Sequence, residues 1–90
     1  MTIKIRGKGK NKLKLEFEDE GFSLVNLLRH KIWDLNPDID KAEYEKSHAY
    51  LDNLRLLVET KDSDPVEEVV KAAEEIKAEC DDLIKEAKGL

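Results

Sequence analysis

The chain has 90 residues, a mass of 10.4 kDa and a formal charge of −5, with 40% hydrophobic and 41% charged residues. A length of this order is one domain, expected over residues 1–90, and it buries only ~60–65% of the surface its unfolded chain exposes. No apolar run approaches the roughly 18 residues of a membrane span, and the first residues, Met1-Thr2-Ile3-Lys4-Ile5-Arg6, lack the apolar stretch of a secretory signal. A cytoplasmic protein is expected. The single cysteine, Cys80, excludes an internal disulfide and a multi-thiolate metal site.

Charge divides unevenly along the chain. Residues 1–14 hold six basic side chains and no acid, and the other 76 carry a net −11. A chain so acidic beyond its first hairpin is a poor general binder of polyanions.

Ile3 and Ile5 alternate with Lys4 and Arg6, and after Gly7-Lys8-Gly9-Lys10-Asn11 the alternation resumes with Leu13, Leu15 and Phe17 against Lys12, Lys14, Glu16 and Glu18. This is strand, turn, strand, with one charged face. Asp19-Glu20-Gly21 ends the hairpin, and Ser23 is the expected N-cap of a helix. At 100° per residue from Leu24, Val25, Leu28, Ile32 and Leu35 form the core stripe, Leu27 lies to its other side, and Trp33, Asn26 and His30 fall on the back. Asn36-Pro37-Asp38 stops the helix.

From Ile39 to Lys46, Ala42 and Tyr44 share one face of an expected strand, and residues 47–53 read as a connector. Leu54, Leu56, Val58 and Thr60 then alternate with Arg55, Leu57 and Glu59. Leu57 breaks the polar face, either as a second contact surface or as a scattered surface leucine. Asp64-Pro65 opens the last helix, with Glu67 in its first turn. Val66, Val69, Ala73, Ile76, Cys80, Leu83 and Ala87 follow at alternating +3 and +4 spacings, widened by Val70 and Ile84. The fold class expected is α+β: a ββαββα two-layer sandwich whose four-stranded, mainly antiparallel sheet carries both helices on one face.

A six- or seven-residue strand spans ~20–23 Å, and a helix from Pro65 to Ala87 about 35 Å. More than about 10 Å of that helix should overhang the sheet, carrying Cys80, Leu83, Ile84 and Ala87 on one stripe. Together with Trp33 on the back of the first helix, this points to a partner.

Catalytic chemistry finds little support. His30 and His48 are 18 residues apart in different elements, and neither makes a zinc spacing with the other or with Cys80. Cys80 sits in the apolar stripe, as a small buried hydrophobe would. Asp34, Asp38 and Asp40 straddle a proline turn and lack the calcium-loop pattern. Gly7-Lys8-Gly9-Lys10 lacks the lysine–hydroxyl end of a nucleotide loop. No catalytic residue, cofactor or metal is expected. Lys8, Lys10, Lys12 and Lys14 are candidates for contact with phosphate or an acidic partner, or they are charges that guard an edge strand.

At the first helix, Phe22-Ser23-Leu24-Val25-Asn26-Leu27-Leu28 resembles the His-Thr-Leu-x-Asn-Leu-(Leu/Ile) stretch of the family of the small L subunit of archaeal DNA-directed RNA polymerase, which is similar to the first domain of the bacterial alpha subunit. Phe22, Ser23 and Val25 replace the family's histidine, threonine and usual glycine. Ala42, Tyr44 and His48 match its Ala-x-Tyr-x-x-Pro-His-Pro-Leu segment, although Ser47 and Ala49 stand in for the prolines. The resemblance implies a non-catalytic subunit that pairs with the alpha-like D subunit to form a platform for the large catalytic subunits and the small N and P subunits, without direct DNA contact. It also implies an interface made by Leu24, Asn26, Leu27, Leu28 and Trp33 on the first helix and by Ile76, Cys80, Leu83 and Ile84 on the last. The alternatives are a homodimeric interaction module using the same stripes and a nucleic-acid binder using the basic hairpin.

Overall fold

The computed structural model describes residues 2–18, 22–48 and 51–90, with side chains described at all of these except 47, 48, 51 and 52. The elements follow the expected order: β1 (Thr2–Lys8), β2 (Lys12–Glu18), α1 (Phe22–Leu35), β3 (Lys41–His48), β4 (Leu51–Glu59) and α2 (Pro65–Lys88). The hairpin end at residues 19–21, and Ala49 and Tyr50 within the expected connector, lie outside the described residues.

The sheet is antiparallel throughout, in the order β1-β2-β4-β3. Alternation along each strand sends Leu13, Phe17, Ala42, Leu54, Leu56 and Val58 to one face, where they close a core with Val25, Leu28 and Ile32 of α1 and Ala72 of α2. Ile39, expected in β3, instead packs into this core from the loop before that strand. α1 lies over β3 and β4, and α2 packs along α1 and reaches β2. Neither helix covers β1. At the other end, β3 and β4 extend to His48 and Leu51, which pair with each other, so the expected connector is mostly strand.

Three expectations about α1 need correction. Ser23 is not its N-cap, because the helix already includes Phe22. Phe22 packs edge-on against Tyr44 of β3, with ring centroids 4.9 Å apart, and the Arg29 guanidinium lies 5.6 Å from the Tyr44 ring. Such aromatic and cation–π contacts anchor the first turn. Trp33 is not on an uncovered back either. It is half-buried against the core, and its Nε1 donates to the Ala42 carbonyl at 2.9 Å. The helix's buried line, Val25, Leu28 and Ile32, points roughly 75° away from Leu24 at 100° per residue, so Trp33 is a flanking residue directed at β3. The true outer face is Ser23, Leu27, His30 and Asp34, all exposed. Leu35, expected in the core stripe, is exposed at the helix end.

Replacing Trp33 by Phe should therefore lower the stability of the chain by about 1–2 kcal/mol through the carbonyl left without its donor. Chemical denaturation reads this directly.

α2 begins as expected. The Asp64 side chain accepts from the Val66 N–H at 3.0 Å, Pro65 occupies the first turn, and Gly89 closes the C-terminus behind Lys85 and Lys88. Asn11 ties the β1–β2 turn to the start of this helix: its Nδ2 donates to the Lys61 carbonyl at 2.8 Å, and its own carbonyl accepts from the Thr60 N–H at 2.9 Å.

Candidate functional site

On α2 the most deeply buried line is Pro65, Glu68 and Ala72, and Val66, Val69 and Ile76 beside it pack partly against the core. The Pro65–Ala72 line continues to Glu79, which accepts from Lys31 of α1 and holds that ammonium pKa above its ordinary value. The heptad stripe is a different line. At 100° per residue its mean direction lies roughly 75° around the helix from the buried one. Val66, Val69 and Ile76 are only half covered and Ala73 is exposed. From Lys77 to Lys88, about 18 Å of helix, every residue is exposed. Leu83 and Ile84 leave 67% and 51% of their surface open, and Val70 of α2 and Leu27 of α1 are also exposed. Cys80, expected as a buried packing residue, is exposed in this chain.

The stripe forms one wall of a groove of about 310 Å³. Val69, Ala73 and Ile76 face Ile3, Leu15 and Phe17 across it, above Leu24 and Leu28. Ile3 and Ile5 sit on the helix side of β1 with no helix above them and are 48% and 63% exposed. Apolar side chains thus run from β1 across the groove and out along a projecting helix, with the character of the apolar centre of a protein–protein interface. Of the expected interface residues, Leu24 and Ile76 line the groove and Cys80, Leu83 and Ile84 continue along the exposed helix, whereas Leu27 is exposed on the outer face of α1. Leu28, almost fully buried, belongs to the chain's own core, and Trp33 is turned toward β3. Asn26 is engaged locally, accepting from Arg29 Nη2 at 2.9 Å and Nε at 3.2 Å. Ile3, Ile5 and Leu15 were missed at the level of sequence. Their alternation was visible, but their exposure depends on a strand order that alternation does not encode.

The opposite sheet face is a lattice of ion pairs. Glu16, only 3% exposed, lies beneath Arg6 Nη2 at 2.7 Å and Arg55 Nε at 3.0 Å. Hydrogen bonds from Arg6 and then Arg55 hold its carboxyl pKa down at about 2, against the opposing cost of burial. Lys41, and to a smaller degree Lys12, likewise lower the Glu59 pKa. Lys4 reaches Glu18 at 2.8 Å, and Lys14 lies 3.7 Å from Glu45. Most of the basic charge in the first hairpin is therefore matched within the sheet.

The unfolded-state pKa of a glutamate is about 4.3, so the stabilisation from the Glu16 carboxylate is fully present above that value and is lost as the pH falls toward 2. A Glu16→Gln chain should melt at lower temperature than the parent at pH 7, and the gap should close between about pH 4.5 and 2. Paired thermal melts across that range check it.

Among the described residues no three His, Cys, Asp or Glu side chains gather into a metal-binding group, and no helix is long and apolar enough to cross a membrane. Residues 12–86 match the RNA polymerase Rpb3/Rpb11 dimerisation domain. The chain is 30% identical over 86 residues to DNA-directed RNA polymerase subunit Rpo11 of Archaeoglobus fulgidus, covering 96% of this chain and 99% of the relative. The Rpo11 subunit of Methanothrix thermoacetophila is 29% identical over 96% of this chain and 93% of its own. The crystal structure of DNA-directed RNA polymerase subunit L from Thermoplasma acidophilum shares the fold, with a TM-score of 0.86 and 22% identity over 98% of this chain and 86% of that one. An exposed apolar surface on a ββαββα sheet-and-helix fold and these likenesses agree: the chain belongs to the RNA polymerase Rpb3/Rpb11 dimerisation domain family.

Proposed function

We propose that this chain is a non-catalytic assembly subunit of an archaeal DNA-directed RNA polymerase in the cytoplasm. It acts as a single dimerisation domain that pairs with the alpha-like D subunit. The pair then serves as the platform on which the large catalytic subunits and the small N and P subunits assemble. The observation that carries this reading is the apolar stripe of α2, only half covered by the chain's own core as far as Ile76 and bare beyond it. The Rpo11 names of the relatives support the polymerase assignment.

The mechanism is burial. A partner helix laid along Val69, Ile76, Leu83 and Ile84 would cover the stripe and fill the groove against β1. Removing ~700–1,000 Å² on this chain gives an interface of standard size or larger, from which ordering costs are subtracted before affinity appears. No cofactor enters this role.

Co-expression with an alpha-like D subunit tests the proposal. The expected result is a one-to-one complex that survives size-exclusion chromatography. A chain that elutes as a clean homodimer and ignores the D subunit would overturn it.

A further inference from the structure

Docking through α2 leaves two features unused: the lysines of the first hairpin, and Leu57, which interrupts the charged face of β4. The fold brings them together. A concavity of about 440 Å³ opens at the turn end of β1 and β2, lined by Lys8, Lys12, Leu13, Lys14, Leu57 and Glu59. Lys12, Lys14, Leu57 and Glu59 belong to the sheet face opposite the helices.

Local backbone shape keeps this hollow open. An extra residue in β1, at Arg6, shifts the register so that Gly7 stands opposite Lys14. A Cβ at Gly7 would meet the Lys14 Cβ at 3.6 Å, and Gly9 has open space around it. The Gly9 N–H donates to the Lys12 carbonyl at 2.8 Å, and the Asn11 bonds pin the turn to the β4–α2 junction. The hollow is held in shape before anything binds.

Its charge is more loosely paired than that of the rest of the face. Lys4 and Arg6 hold their glutamates at 2.8 and 2.7 Å, whereas Lys12 lies 3.5 Å from Glu59 and Lys14 3.7 Å from Glu45. Among the described residues, Lys8 and Lys10 have no ion-pair partner. Leu57, half-buried between these charges, gives the positive rim an apolar spot, while the Leu13 side chain belongs to the core.

We propose that this concavity docks an acidic segment of a partner protein. Carboxylates of that segment meet Lys8, Lys12 and Lys14 of the lining and Lys10 in the adjoining turn, and one aliphatic side chain seats on Leu57. The Glu59 carboxylate and the absence of any aromatic ring in the lining disfavour a nucleic-acid strand, which uses stacking platforms along a uniformly positive track. Apart from Lys8, which stands in register with Leu13 at the end of the edge strand, the charged lining lies on the sheet face away from α2, so both surfaces can be occupied together.

Fluorescence anisotropy of the full chain, alone and with the D subunit bound, tests this with three probes. They are a labelled acidic peptide with a central leucine, the same peptide with serine in place of leucine, and a short single-stranded DNA of matched charge. The expected result is saturable binding of the first probe, weakened about tenfold or more by the serine exchange, by Leu57→Ser, or by Lys8→Gln with Lys10→Gln. The two lysines are exposed, so their exchange leaves the fold intact even if Leu57→Ser loosens it. No saturable peptide binding, equal or tighter binding of the DNA, or peptide affinity indifferent to the lysine exchange would each overturn the proposal.

Discussion

Replacing Leu83 and Ile84 together by alanine should weaken binding of the alpha-like partner by about a hundredfold or more while leaving the chain's own thermal unfolding unchanged. Both side chains are more than half exposed on the projecting end of α2, where nothing in this chain covers them. Their truncation therefore opens no cavity in the monomer, and alanine is the better helix former. Large apolar anchors at the centre of an interface cost about 1–2 kcal/mol or more each on truncation, and about 2.8 kcal/mol is a hundredfold in affinity. Titration calorimetry against the D subunit, beside a melt of each free chain, separates the two effects. Unchanged affinity would remove α2 from the interface.

Phe17→Ala should act in the opposite place. Phe17 is 1% exposed on a central strand, paired with Ile3 on β1 and Leu54 on β4, and it packs under the helices. Phe-to-Ala changes in a core cost about 3–5 kcal/mol. A domain of this size has only ~5–13 kcal/mol in total, so the melting temperature should fall by roughly 15–30 °C. A fall of only a few degrees in a circular-dichroism melt would mean that the sheet–helix core is not organised around this residue.

The contrast between these two residues marks what the sequence could and could not convey. Strand alternation placed Phe17, Leu56 and Val58 inward and Glu16, Arg55 and Glu59 outward, because pleating makes that choice two-valued. The heptad of α2 was equally legible, and so was its excess length over the strands. Alternation does not encode which strand lies at an edge, so Ile3 and Ile5 could not be recognised as exposed. The angular error at Trp33 had a simple cause. Leu24 stands at the margin of its stripe, and measuring from it turned a flanking tryptophan into an outward one. Helical periodicity reports relative directions only, and it is the β3 carbonyl of Ala42 that shows where Trp33 goes. The offset between the heptad stripe of α2 and its line of contact with α1 was likewise invisible, since both lines read as regular helical spacings.

Leu28 and Leu83 show the same limit in the expected interface. Both are leucines on apolar stripes, yet one is sealed beneath α1 and the other stands free. Only packing separates a residue that holds the domain together from one offered to a partner.

Amide hydrogen exchange across α2, in the free chain and with the D subunit bound, tests the central claim most directly. Free, the backbone from Lys77 to Lys88 should exchange quickly, since every residue there is exposed and, among the described residues, its one hydrogen bond to the rest of the chain is the Lys31–Glu79 pair. Bound, the same segment should become strongly protected while the basic turn at residues 8–11 stays unchanged. Equal exchange of residues 77–88 in both states would contradict the account.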